Sequence, residues 1–232
     1  MDSVEISKKI IVAIDDTSRE RINNIVELTA PFVSIYKIGS ITFTAHGPSI
    51  LEELKQKGKD VFLDLKYFDI PNTVSKAVME AVKYGVKMLT LHTLGGEEML
   101  KSAVEASAGR TILLGVTLLT SMDQSQLNKF GINASVSDMV EKLALLAVNA
   151  GVDGLVASGY EVGRLRNVLG NKPIIVVPGI RLKDKVAGDD QKRIVSPKEA
   201  FDAGANYIVM GRPITESKNP GDVLRQIINA LR

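Results

Sequence analysis

At 232 residues, 45% hydrophobic and 24% charged, the chain is long enough for one sizeable core and short for two, because single α/β barrels commonly run ~200–250 residues. A formal net charge of +2, with Lys and Arg scattered and no basic stripe, argues against a nucleic-acid surface. There is no cysteine, so disulfides are excluded, as suits a reducing cytoplasm. MDSVEISKKI shows no apolar signal core, and the longest apolar stretch, ILLGVTLL, is far shorter than the ~20 residues of a membrane span. These features predict a soluble cytoplasmic domain with no membrane partner.

Apolar, β-branched runs of strand length recur in a regular beat: IIVAI (10–14), SIYKIG (34–39), DVFLDL (60–65), KMLTLH (87–92), TILLGVTLL (111–119), DGLVAS (153–158), PIIVVPG (173–179) and NYIVMG (206–211). Amphipathic helical patterns lie between them. TSRERINNIVELTAPF carries Ile22, Ile25, Val26 and Leu28 at helical spacing, and TVSKAVMEAVKYG carries Val74, Ala77, Val78, Ala81 and Val82. Gly58, Gly85, Gly109, Gly151 and Gly204 stand where helices should stop, just before the next strand. Strands apolar on both faces and alternating with helices predict a parallel sheet. Eight such units predict a single-domain (β/α)8 TIM barrel over residues 1–232, with an open doubly wound sheet as the structural rival. RLKDKVAGDDQKRIV, residues 181–195, is too polar and too long for an ordinary connection, and predicts a lid.

In such barrels the active site lies at the C-terminal ends of the strands. The polar residues expected there are Asp15 and Asp16 after the first run, Lys37 on the second, Asp64 and Lys66 on the third with Asp69 in its loop, and His92 on the fourth. Thr120 and Ser121 follow the fifth, Pro178, Gly179 and Arg181 the seventh, and Gly211 and Arg212 the eighth. Asp64 and Lys66 are two apart and so share a strand face, opposite Leu63 and Leu65. An isolated Asp-x-Lys reads as a structural ion pair. Lys37 on the adjacent strand shifts the balance, because several charges converging on one barrel mouth are costly to desolvate unless function requires them. Gly179 with Arg181, and Gly211 with Arg212, repeat one device in the two loops that commonly cradle phosphate in this fold; the alternative is a glycine turn followed by a surface arginine. The only histidines, His46 and His92, form no metal-ligand cluster, and His92 reads equally as a hydrogen-bonded core residue or a catalyst. With no nucleophile elbow, Walker loop or dinucleotide fingerprint, the charged set points to Lys and Asp acting directly on a phosphorylated small molecule.

DLKYFDIPNT, residues 64–73, resembles the signature of the orotidine 5′-monophosphate decarboxylase family. AID (13–15), YKIG (36–39), LLTSM (118–122), PGIR (178–181), DQKR (190–193) and MGRP (210–213) extend the resemblance along the chain in family order, although GDDQKR carries one more acid than the family's pattern. The resemblance implies decarboxylation of orotidine 5′-monophosphate to uridine 5′-monophosphate, the last step of pyrimidine nucleotide synthesis, with no cofactor and no metal. It assigns Lys66 as proton donor to carbon 6 and places Asp64 against the departing carboxylate. Asp15 and Lys37 would hold ribose hydroxyls, Lys37 also pairing with Asp64. Thr120 and Ser121 would face the pyrimidine, and Pro178, Gly179, Arg181, Gln191, Gly211 and Arg212 would surround the phosphate, with Gln191 carried by the lid. It further implies a homodimer with shared active sites, in which Asp69 and Thr73 reach into the partner's site, and counts Ile70 among the substrate-binding residues.

Two other functions remain in view. The related sugar-phosphate decarboxylases and aldolases share the Asp-x-Lys-x-x-Asp core but use Mg2+, with an acidic ligand where this chain has Lys37. A barrel that binds its ligand without turning it over is the non-enzymatic possibility; the complete charge set speaks against it.

Overall fold

The computed structural model describes residues 2–181 and 195–232. Eight strands, β1 (Ile10–Ile14), β2 (Ile35–Gly39), β3 (Asp60–Tyr67), β4 (Met88–His92), β5 (Ile112–Val116), β6 (Gly154–Val156), β7 (Ile174–Val177) and β8 (Tyr207–Met210), pair in chain order into a closed barrel, β8 returning to β1. Every pairing is parallel. The closed sheet rules out the open doubly wound alternative. Each apolar run coincides with one strand; the runs at β5 to β8 overshoot their strands at the C-terminal end, TILLGVTLL leaving the sheet after Val116, whereas β3 extends two residues beyond its run, to Tyr67.

Alternation along the strands divides the apolar side chains between two cores. Ile11, Ala13, Ile35, Phe62, Met88, Leu114, Val176 and Val209 fill the barrel interior. The intervening residues, such as Val12, Ile38, Leu63 and Leu89, pack outward against the helices. The five helix-stopping glycines all adopt left-handed backbone, with φ between 66° and 105°, a region that an L side chain enters only with strain.

Helix Arg19–Thr29 is capped by the Ser18 side chain, which accepts from the Arg21 backbone N–H, and buries Ile22, Ile25, Val26 and Thr29. Leu28, expected on that stripe, is instead 44% exposed. The buried set follows the i, i+3, i+4, i+7 spacing of one helix face, and position 28 falls beside it. Helix Pro71–Lys83 starts with proline in its first turn and buries Val74, Val78 and Ala81. Among the described residues no helix is long and apolar enough to cross a membrane. The expected lid, 181–195, falls almost wholly outside the described residues. Its two ends are joined by a parallel bridge between Ile180 and Val195, with the Arg181 N–H donating to the Val195 carbonyl at 3.0 Å.

Candidate active site

Positions two residues beyond an interior apolar side chain also point into the barrel, but one layer closer to its mouth. Ala13 is followed in this way by Asp15, Ile35 by Lys37, Phe62 by Asp64 and Met88 by Thr90. The first four strands thus switch from apolar to polar at one level of the barrel. Above that level lies a cavity of about 480 Å3.

Asp15, Lys37, Asp64 and Lys66 line one part of the cavity and Thr120 another, while Pro178, Gly179, Arg181, Gly211 and Arg212 line it from the ends of β7 and β8. Ten of the residues expected at the site therefore surround one space. Ser121 is exposed and outside the lining, as are Asp69 and Ile70 in the loop after β3 and Thr73 in the first turn of the helix that follows. The Asp69 carboxylate accepts a hydrogen bond from the Ile70 N–H at 2.6 Å, within its own turn. Gln191 lies outside the described residues.

The four charged side chains form a chain of alternating sign. Lys37 Nζ stands 3.5 Å from Asp15 Oδ1 and 3.5 Å from Asp64 Oδ2. Lys66 Nζ donates to Asp64 Oδ1 at 2.9 Å. Side-chain exposure runs from 12% at Lys37 and 15% at Asp64 to 35% at Lys66 and 46% at Asp15, so the central pair forms the floor and the ends face the opening. Burial by itself would push the Asp64 carboxyl up. The Lys37 and Lys66 ammonium groups, with hydrogen bonds from Lys66 and Thr90, together outweigh it and hold the carboxyl below the ordinary aspartate range. Asp64 is therefore a fixed anion between two cations.

Asp64 and Lys66 meet, but not by regular strand alternation. The β3–β4 register shifts between Leu63 and Tyr67, and Lys66 has φ +49°, one of only two positive values among non-glycine residues described. A bulge of this kind bends a strand and re-aims its side chains.

Three neighbours escaped the sequence reading. Thr90, fully buried, bonds both to the Lys66 backbone and to Asp64. Gly39 passes so close to the first ion pair that a Cβ there would lie 2.8 Å from Asp15 Oδ1 and 3.0 Å from Lys37 Nζ. Thr42, also buried, accepts from the Asp16 N–H and has its hydroxyl within 3.0 Å of the Ile14 and Asp16 carbonyls, which fixes the turn carrying Asp15. Asp16 itself turns away to Arg21, 3.2 Å distant. The available signals were a hydroxyl at an inward position of MLTLH and a glycine two residues after Lys37. The His92 ring lies 5.5 Å from that of Phe68, and its Nδ1 accepts from the Leu94 N–H at 3.4 Å. Burial, helped by the Lys66 charge, pushes the His92 imidazolium below its ordinary pKa. Among the described residues no three His, Cys, Asp or Glu side chains are grouped to hold a metal ion.

Such an arrangement offers a largely buried Lys37–Asp64 floor, the Lys66 ammonium beside that carboxylate, and two arginines after β7 and β8. It suits an anionic ligand in which a carbon near Lys66 accumulates negative charge. Residues 8–227 match the model of the Orotidine 5′-phosphate decarboxylase / HUMPS family. An orotidine 5′-phosphate decarboxylase of Geotalea daltonii is 44% identical over 230 residues, covering 97% of this chain and 96% of that one. One from Neisseria meningitidis serogroup C is 44% identical over 221 residues, covering 94% and 90%. The crystal structure of orotidine 5′-phosphate decarboxylase from Lactobacillus acidophilus superposes with a TM-score of 0.85 at 33% identity, covering 97% of this chain and 99% of that one.

Proposed function

The chain belongs to the Orotidine 5′-phosphate decarboxylase / HUMPS family, and we propose that it converts orotidine 5′-phosphate to uridine 5′-phosphate and carbon dioxide by direct action of Lys66 and its carboxylate neighbours. The observation that carries this reading is the Asp15–Lys37–Asp64–Lys66 chain lining a cavity that Arg181 and Arg212 also line.

In the reaction the bond between carbon 6 and the carboxylate breaks and its electron pair stays on carbon 6. The pyrimidine offers that pair no conjugated sink. The Lys66 ammonium stabilises it and then transfers a proton to it, leaving a neutral amine to be reprotonated from solvent. Asp64, held ionised, crowds the substrate carboxylate and fixes Lys66. A like-charge contact at ~4 Å is worth ~4 kcal/mol at an effective dielectric near 20. Enzymes on slow reactions must supply up to ~23 kcal/mol. Repulsion is thus a minor part, and the remainder is assigned to remote binding that orders the site.

That remote binding falls to the other residues. Asp15 and Lys37 hold ribose hydroxyls, Thr120 faces the pyrimidine, Ser121 is assigned beside it by its motif and not by the cavity lining, and Gly179, Arg181, Gly211 and Arg212 take the phosphate. Gln191 joins them on the strength of its motif. The working unit proposed is a cytoplasmic homodimer, with Asp69 and Thr73 lent to the partner's site and Ile70 beside them in contact with substrate; their exposure and their absence from the home cavity's lining support this. Lys37 disfavours the Mg2+-dependent sugar-phosphate chemistry, because its ammonium occupies the position of an acidic metal ligand and would repel a divalent ion. The test is the fall in ultraviolet absorbance when orotidine 5′-phosphate is added to chelator-treated protein. An unchanged spectrum, or activity regained only with Mg2+, would refute the proposal.

A further inference from the structure

We propose that Thr90 is a positioning residue for this reaction: its single hydroxyl locks the β3 bulge and the Asp64 carboxylate into the arrangement that presents Lys66 to the cavity. In the β3–β4 register, Leu63 is opposite Leu89 and Tyr67 is opposite Leu91, so Asp64, Leu65 and Lys66 share Thr90 as their one counterpart. A bulge leaves ladder groups without strand partners, and a buried N–H without a partner is costly. The Lys66 N–H finds its acceptor in Thr90 Oγ1 at 2.8 Å.

The direction of the remaining bond follows from the inventory of donors. A hydroxyl has one proton to give and can accept from others. The amide can only donate and an ionised carboxylate can only accept, so the Thr90 proton goes to Asp64 Oδ1, 3.0 Å away. Asp64 Oδ1 thereby receives both Thr90 and Lys66 Nζ, and Oδ2 faces Lys37. With each oxygen committed, the carboxylate cannot turn without breaking a contact.

The same hydroxyl accounts for the backbone. A lysine at φ +49° is strained, and such conformations persist only where their surroundings over-determine them. Thr90 is fully buried and is not part of the cavity lining, so it acts through Asp64 and Lys66 and not on the ligand. No other hydroxyl or amide described bonds to the Asp64 carboxylate.

The kinetic consequence rests on the proposed decarboxylation; the electrostatic one does not. The experiment compares wild type with Thr90→Val, which keeps the branched shape and loses the hydroxyl, and Thr90→Ser, which keeps the hydroxyl. For Thr90→Val, kcat should fall about tenfold or more, the scale of one lost hydrogen bond to a charged group, while the Kd for uridine 5′-phosphate stays within about threefold. Thr90→Ser should recover most of kcat. In the free enzyme, carbon-13 NMR of the Asp64 carboxyl should show it titrating at higher pH in Thr90→Val than in wild type. The groups facing it are Lys37 and Lys66, with Asp15 behind Lys37, and only the bond that favoured the charged form has been removed. Should Thr90→Val not fold, Thr90→Ala takes its place in both measurements. Equal kcat in variant and wild type, an unmoved Asp64 titration, or a Thr90→Ser variant as impaired as Thr90→Val would each overturn the inference. A wild type that turns nothing over would sink the decarboxylation reading instead, and the NMR titration alone would then decide the role of Thr90.

Discussion

Lys37 and Asp64 make their 3.5 Å contact diagonally across the β2–β3 ladder: Lys37 is registered with Phe62, and the residue opposite Asp64 is Gly39. Diagonal neighbours in a sheet are within reach of long side chains. Because Gly39 puts nothing between them, the lysine leans over that position to meet Asp64 on one side and Asp15 on the other. The contact therefore depends on a residue with no functional group.

Gly39→Ala should separate activity from stability. The new Cβ would meet Asp15 Oδ1 and Lys37 Nζ at 2.8 and 3.0 Å, both at the ends of side chains that can move. The backbone needs no shift, since Gly39 has φ −97° and ψ −174°. The expected outcome is a melting temperature within a few degrees of wild type and a kcat/KM lowered about tenfold as the ion pairs are displaced. Gly154→Ala is the contrasting control. Its Cβ would lie 2.3 Å from the Ile174 carbonyl oxygen in the adjoining strand, so it should lose folded protein, with overpacking typically costing about 1–3 kcal/mol or more. Equal thermal losses in the two variants would contradict this account of Gly39.

Lys66→Ala should remain folded and lose turnover by about 100-fold or more, the lower range for removing a positioned proton donor. Its side chain is 35% exposed and belongs to neither apolar core, so the fold has little to lose. Circular dichroism checks the fold, and the absorbance assay checks turnover. Retention of more than about a tenth of wild-type activity would remove Lys66 from the donor role.

How far the site was legible depends on whether a feature is written in one strand or in two. Asp15, just past the end of β1, and Lys37 and Asp64, within β2 and β3, lie two residues beyond Ala13, Ile35 and Phe62, and alternation along one strand points each at the mouth. The Lys66 bulge is a mismatch between β3 and β4, and periodicity within β3 carries no trace of it. Thr90 and Gly39 are likewise defined by what lies across the ladder. The outer helices show the same limit on a smaller scale: Leu28 satisfies a loose helical spacing, yet the barrel accepts only the stripe through Ile22, Ile25, Val26 and Thr29.

Stability should fall as pH drops through the histidine range. The His92 pKa is depressed below 6.5 by burial, reinforced by Lys66, so the unfolded chain takes up this proton at a higher pH than the folded one. The stabilisation is complete above 6.5 and is lost on acidification towards the lower folded value. Asp64 adds a second loss at lower pH: its depressed carboxyl contributes stability above the ordinary 3.8, and that contribution disappears as pH falls through its folded value. Urea midpoints measured from neutral to mildly acidic pH should decline in wild type, and the first part of that decline should be absent from His92→Gln. An equally steep decline in the variant would show that His92 is not its source.

The shared-site proposal has a test of its own in mixed dimers. Phe68 and Ile70, on either side of Asp69, are 61% and 66% exposed, an apolar pair that a partner surface would cover. Asp69 is exposed between them and does not line its own barrel's cavity. If it serves the partner, Asp69→Ala and Lys66→Ala should each be inactive as homodimers for different reasons. In a hybrid, one barrel keeps Lys66 and receives an intact Asp69 from its neighbour, while the other lacks both. Equal mixing makes half of the dimers hybrid, so about a quarter of wild-type activity should return once subunits exchange. If Asp69 acts within its own chain, each barrel of the hybrid still lacks one essential group. Exchange that restores no activity, with hybrid dimers verified by mass, would assign Asp69 to its own barrel.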